Sequence, residues 1–131
     1  ADNANYVSWQ ALIKLPREDK MKIVSNLRAN LSDLHAYRIV CGQLTAEDIL
    51  IELSSMHARI GYFKTARTLP ETDDDQCKEL RAQDILALGK ILQTLFSSAD
   101  TPQMVKNMLH SDVDMRIFAL QNRNLYVTQS R

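Results

Sequence analysis

The chain has 131 residues, and its 16 basic side chains balance its 16 acidic ones, so the formal net charge at pH 7 is zero. A general nucleic-acid binder usually has a basic excess, so this neutrality counts against that class. Hydrophobic residues make up 45% of the chain and aromatic residues only 6%, while glycine and proline occur three times each. So few turn-forming residues exclude a β-sandwich and favour one domain, residues 1–131, of long helices packed through aliphatic side chains.

The first predicted elements are a loose lead-in and two helices. Residues 1–7 lack a periodic apolar pattern, and Ser8 is suited to cap a short helix that follows it. Pro16 fits the first turn of a second, longer helix that runs to about Cys41 and ends at Gly42. The apolar side chains of this second helix recur at helical spacing, at Val24, Leu27, Leu31 and Leu34.

A third helix is predicted from Thr45 to about Thr68. Thr45 and Asp48 have the spacing of a capping box in which aspartate replaces glutamate. The apolar positions alternate in steps of four and three, at Ile49, Leu53, Met56, Ile60 and Phe63. Gly61 inside this helix would permit a close helix crossing or would simply be tolerated.

Residues 69–76, LPETDDDQ, form an acidic turn between two helices. Pro70 ends the preceding helix, and Thr72 or one of the three aspartates caps the next. A calcium loop would require spaced carboxylates, a glycine and a closing glutamate, so we expect capping here and not a metal site. The following helix is predicted at about 76–96, where leucine and isoleucine form a broad apolar stripe.

Residues 101–126 resemble a helix-turn-helix hairpin. Thr101 and Pro102 are suited to begin a short helix, and a second helix is predicted after His110. The alternation of apolar and polar residues from Val113 onward would also suit a strand, with residues 125–127 as its partner. Side chains of the types that read base edges lie along this hairpin, and they make a candidate DNA-binding set: Lys106, Arg116, Gln121, Asn122, Arg123 and Asn124.

The sum of these predictions is an all-α fold. It is a compact bundle of five or six helices, three of them long and amphipathic, joined by short turns. The 101–126 hairpin would either cover this bundle or read DNA.

Residue patterns typical of catalysis, of metal binding or of cofactor binding are missing from the sequence. The three histidines lie in different segments, no Cys or His pair has zinc-ligand spacing, and the glycines are isolated. Cys41 and Cys77 are expected to be buried free thiols, with a bridge between helices or between chains as the alternatives. The sequence therefore predicts no enzyme, no metal site and no cofactor.

The segment PQMVK, residues 102–106, resembles part of the D subunit of the bacterial flagellar master activator. That family consists of small helical transcription regulators that work with a partner subunit, and its matching segment is a short helix that leads into a more hydrophobic stretch. The resemblance implies a regulator, but it covers five residues of 131, and the cysteine that follows the segment in the family has no counterpart here. No site residue is therefore transferred.

Two functional hypotheses follow from these patterns. The first is a non-enzymatic adaptor or regulator that acts through helix-mediated binding to a protein partner or through formation of a homodimer. The alternative is a transcription regulator that binds duplex DNA through the 101–126 hairpin. No apolar run is long enough to span a membrane, no signal-peptide pattern opens the chain, and no small-molecule substrate is indicated, so we predict a cytoplasmic protein.

Overall fold

The computed structural model describes residues 9–61, 64–72 and 74–121. The predicted lead-in, the Ser8 cap and the end of the 101–126 hairpin lie outside these ranges. The elements in chain order are a first 3-10 helix (Trp9–Lys14), α1 (Arg17–Ala36), β1 (Ile39–Val40), a second 3-10 helix (Ala46–Asp48), β2 (Ile49–Glu52), β3 (His57–Ile60), β4 (Arg67–Thr68), α2 (Asp75–Gln93), a third 3-10 helix (Ser98–Asp100), α3 (Gln103–Met108) and α4 (Val113–Gln121).

Two long helices, α1 and α2, supply much of the hydrophobic core. Four α1 side chains at helical spacing are fully buried, namely Ile23, Val24, Leu27 and Leu31. The predicted cap of α2 within the acidic turn is confirmed, because the Asp74 carboxylate accepts a hydrogen bond of 2.9 Å from the Cys77 amide. This bond lowers the pKa of Asp74, since it stabilises the charged carboxylate.

The prediction of an all-α bundle with three long helices is wrong. The described residues between 45 and 68 form no long helix, and the described part of the chain has two small antiparallel sheets. In one sheet β2 pairs with β3, and in the other β1 pairs with β4. The fold is therefore a mixture of helices and short strands, and the description "helical bundle" does not apply.

The four-and-three spacing that predicted the third helix extends across a β-turn. Ile49 and Ile51 are buried on β2, and Ala58 and Ile60 are buried on β3, which is the two-residue period of strands. Met56, in the turn between them, has φ +57°, a left-handed conformation that no continuous α-helix contains. The predicted Thr45 and Asp48 cap does form, with a bond of 2.8 Å from the Thr45 amide to the Asp48 carboxylate, but it begins only a 3-10 turn.

Helix α1 ends at Ala36, five residues before the predicted end at Cys41. Arg38 has φ +63°, which turns the chain out of the helix. The β-branched Ile39 and Val40 then extend as β1. The earlier end places residues 41–46, defined here as the 41–46 loop, against α2.

Side chains of α1 satisfy the free edge of β3. The Asn26 side-chain oxygen accepts a 3.1 Å bond from the Ala58 amide, and the Asn30 oxygen accepts a 2.7 Å bond from the Ile60 amide. The two asparagines are four residues apart, so they lie on the same face of α1. These two hydrogen bonds join the β2–β3 hairpin to α1, so the described edge of β3 is satisfied without a further strand.

The α3–α4 hairpin packs on α2. The helix predicted after His110 is observed as α4, and the strand alternative is not found for residues 113–121. Gly89 of α2 allows α3 to approach closely, since a Cβ at this position would lie 3.0 Å from Met108 Cβ. Within the described residues, no helix combines the length and the hydropathy that crossing a bilayer requires.

Candidate functional site

Asp84 of α2 has an ionisable side chain, and yet only 1% of its surface is exposed. Its carboxylate accepts hydrogen bonds from the backbone amides of Cys41 at 2.7 Å and Gly42 at 3.1 Å. The His35 ring nitrogen Nε2 lies 2.9 Å from the same carboxylate. A buried carboxylate is stable only with such partners. Asp84 therefore connects the end of α1 and the 41–46 loop to α2.

Thr65 holds the other side of the 41–46 loop. Its hydroxyl donates to the Cys41 carbonyl at 2.6 Å and accepts from the Gln43 amide at 2.9 Å. Gly42 has φ +85°, and a Cβ at this position would lie 2.7 Å from the Thr65 carbonyl oxygen. The loop conformation thus requires glycine at position 42.

The buried thiol of Cys41 lies in surroundings that oppose its ionisation. Burial, together with the negative charge of Asp84, raises the pKa of Cys41 to about 12. A thiol that stays protonated at neutral pH is a poor nucleophile. Although His35, Asp84 and Cys41 are close together, their arrangement stabilises a loop and does not activate a thiolate. Cys77 is likewise free and buried, as the sequence predicts for both cysteines.

An open, mostly apolar groove of about 670 Å³ lies between the first 3-10 helix, the 41–46 loop and α2. We call this surface the apolar groove. Its aliphatic lining comes from all three segments: Ile13, Leu44, Ala46, Leu86, Ala87 and Ile91. Ile13 is 46% exposed in spite of its apolar side chain. A concave surface of this size with few polar groups is typical of a binding site.

Trp9 forms one wall of the apolar groove. Its indole Nε1 donates a 2.7 Å hydrogen bond to the Thr94 hydroxyl, which in turn donates to the Ile91 carbonyl at 2.6 Å. The Asp84 contacts hold the opposite wall, the 41–46 loop. Hydrogen bonds within the chain therefore hold both walls, and such bonds reduce the conformational entropy that is lost on binding.

A second, polar cavity of about 470 Å³ shares Leu44 and Thr45 with the apolar groove. We call it the polar cavity. Its charged lining consists of Glu47, Asp48 and Lys64, two carboxylates against one ammonium group. Among the described lining residues of the apolar groove, one is charged, namely Lys90.

The candidate DNA-binding residues do not form one exposed surface. Lys106 on α3 and Gln121 at the end of α4 are exposed. Arg116 is 7% exposed, and its guanidinium donates to the backbone carbonyls of Ala82 at 3.1 Å and Ser111 at 3.5 Å. The remaining three, Asn122, Arg123 and Asn124, lie outside the described residues.

Sequence reasoning did not identify Asp84 or Trp9 as site residues. For Asp84 a pattern was available, because Leu80, Asp84 and Leu88 are four residues apart and so lie on one face of α2. A carboxylate in an apolar stripe indicates a buried polar contact. For Trp9 there was no such pattern, since its partner Thr94 is 85 residues away.

Among the residues that the structure describes, no group of three or more His, Cys, Asp or Glu side chains is placed to hold a metal ion. Comparison with protein-family models and with curated proteins finds no match to this chain.

Proposed function

We propose that the protein is a non-enzymatic adaptor or regulator that binds an apolar segment of a protein partner in the apolar groove. The observation that supports this function is the groove itself, about 670 Å³ of mainly aliphatic surface between two walls held by hydrogen bonds. Burial of aliphatic surface contributes roughly 25 cal/mol per Å² before the entropic costs of binding, so the aliphatic lining of the groove favours an apolar occupant. The partner supplies the complementary apolar side chains.

The polar network beside the groove supports binding over catalysis. The Cys41 thiol is held in its protonated form, and the Asp84 carboxylate is occupied by backbone amides and His35. Neither group is free to act as a nucleophile or as a general base. Their contribution is to position the 41–46 loop as a wall of the groove.

A pair of variants on α2 tests this proposal. Ala87→Arg places a long charged side chain in the apolar groove, whereas Gln93→Arg adds the same group at an exposed position of α2 outside the groove. The wild type and Gln93→Arg should retrieve the same protein from extracts of the native host, and Ala87→Arg should not. Circular dichroism checks that each variant is folded, and light scattering identifies self-association if the partner is a second copy.

The proposal fails if Ala87→Arg retrieves the partner as well as the wild type does. It also fails if the folded wild type is strictly monomeric and retrieves no protein at all.

Binding of duplex DNA through the 101–126 hairpin is the alternative proposal. Lys106 and Gln121 are exposed and would be available to it, but Arg116 would have to break its bonds to Ala82 and Ser111 before it could reach a base. If DNA is the partner, affinity should fall steeply with salt, and Lys106→Glu should weaken it. A chain that does not bind duplex DNA at low salt would rule this alternative out.

A further inference from the structure

We propose that the bound segment has an acidic residue on one side of its apolar residues and a basic residue on the other. This inference rests on the proposed function and concerns how the same groove selects and orients its partner. It follows from the charges at the apolar groove and the polar cavity.

Lys90 provides the first of these charges. Its side chain is exposed on the α2 wall of the apolar groove, and within the described residues it has no ion-pair partner. The described lining of the groove contains no carboxylate. An acidic residue of the bound segment that lies beside Lys90 would thus gain an ion pair without displacing an existing one.

The polar cavity provides the second charge. Glu47 and Asp48 outnumber Lys64 there, so the formal charge of the lining is negative. Asp48 is partly occupied, because its carboxylate accepts bonds from the Thr45 amide and hydroxyl. Glu47 is exposed and forms no hydrogen bond or ion pair within the described residues, so it is the carboxylate available to a basic residue of the partner.

Leu44 and Thr45 line both cavities, so the two cavities lie next to each other across these residues. Lys90 lines only the apolar groove, and Glu47 lines only the polar cavity. A segment that fills the groove and also crosses Thr45 into the polar cavity would have Lys90 beside its first part and Glu47 beside its second part. The carboxylates alone would not define a site, but beside an apolar groove they favour one orientation of such a segment.

The length of the groove sets the size of this occupant. One side of its lining runs along α2 from Gln83 to Thr94, the residue that follows the helix, and at 1.5 Å per residue this side is about 16 Å long. A helix of about three turns, or roughly five residues of extended chain, has this length. This length fits the apolar part of the partner segment, which has an acidic residue beside Lys90 and continues past Thr45 to a basic residue near Glu47.

Three synthetic peptides with the same leucine and phenylalanine core test this inference. One peptide has Asp at one end and Lys at the other, one has Asp at both ends, and one has Lys at both ends. Binding is followed by the fluorescence of Trp9, the only tryptophan in the chain. The mixed peptide should bind the wild type about fivefold more tightly than either of the others, and high salt should remove this preference.

Charge reversal in the protein should change the preference in a defined way. Lys90→Glu should favour the Lys/Lys peptide, and Glu47→Lys should favour the Asp/Asp peptide, each by about fivefold. The double variant should again prefer the mixed peptide, because the two charges have exchanged places. It also serves as the control for net charge, which is the same as in the wild type.

The outcomes separate this inference from the proposed function. If all three peptides bind equally well to every variant but not to Ala87→Arg, the groove binds apolar segments and the charge inference is wrong. If no peptide binds the folded wild type, both proposals are wrong. A preference that persists in both single variants would also contradict the inference.

Discussion

The contacts of one buried side chain, Asp84, hold the conformation of the 41–46 loop. The carboxylate accepts from two consecutive backbone amides and lies within hydrogen-bond distance of His35, and both Asp84 and Cys41 are buried. Its removal leaves the buried Cys41 amide without an acceptor, which costs more than the hydrogen bond itself contributes. The residue therefore controls both the stability of the fold and the shape of the 41–46 loop.

Replacement of Asp84 by alanine should lower the free energy of unfolding by about 3 kcal/mol or more, because the Cys41 and Gly42 amides lose their acceptor. Asp84→Asn retains one acceptor oxygen and should cost less. Urea denaturation measures both changes. Glu79→Gln, at an exposed position of the same helix, is the matched control and should stay within about 0.5 kcal/mol. Equal stability of Asp84→Ala and wild type would show that the carboxylate has no structural role.

The Cys41 thiol gives the protein a specific response to alkaline pH. In the folded state its pKa is raised from 9.0 to about 12, so between these values the unfolded chain releases a proton that the folded chain retains. Stability is therefore unaffected by this group below about pH 9 and falls as the pH rises above it. Cys41→Ala should lose less stability than the wild type between pH 8 and pH 10.5 in denaturant titrations. Parallel curves for the two proteins would contradict the raised pKa.

At the scale of elements, α4 is fixed to α2 by a residue type that usually lies at the surface. Arg116 is buried, and its donors contact the Ala82 and Ser111 carbonyls. A long arginine side chain contributes packing through its methylene groups as well as its hydrogen bonds. Arg116 is therefore expected to stabilise the hairpin, whichever partner the protein binds.

Arg116→Ala should lower the free energy of unfolding by about 1–2 kcal/mol, since both packing and hydrogen bonds are lost. Lys106→Ala removes an exposed cation of the neighbouring helix and should change it by no more than about 0.5 kcal/mol. Thermal denaturation of the two variants gives the comparison. If Arg116→Ala is as stable as Lys106→Ala, the contact with α2 contributes nothing measurable.

The elements differ in how far the sequence could predict them. Helix α2 was predictable because a cap at Asp74 precedes a long apolar stripe. The β2–β3 hairpin was not, because Ile49, Met56 and Ile60 have the spacing of a helix although a turn separates them. Their conformation depends on tertiary contacts such as the Asn30 bond to β3, and local spacing does not report such contacts.

The candidate site was still less predictable than the hairpin. The apolar groove combines the first 3-10 helix with α2, two segments about seventy residues apart in the chain, and their contact follows from the completed fold. The apolar stripes of the sequence predicted contacts made through helices, and this stays a prediction. The sequence could not indicate which apolar side chains remain uncovered.

The whole molecule has a formal net charge of zero at pH 7 and a sequence pI of about 7.1. Without net repulsion, molecules associate non-specifically most strongly near neutral pH. Light scattering from pH 5 to pH 9 should show weak association that is strongest near pH 7 and decreases at lower and higher pH. A specific dimer formed through the apolar groove would instead persist at pH 5 and be abolished by Ala87→Arg.

The contacts of Asp84 also bear on the order in which the chain folds. They join residues that are 43 and 49 positions apart, so a large loop must close before any of them can form. Hairpins and single helices need only local closure and are expected to appear earlier. The wall of the groove should accordingly become ordered late, and a nascent chain that lacks α2 would expose the aliphatic side chains of the 41–46 loop to chaperones.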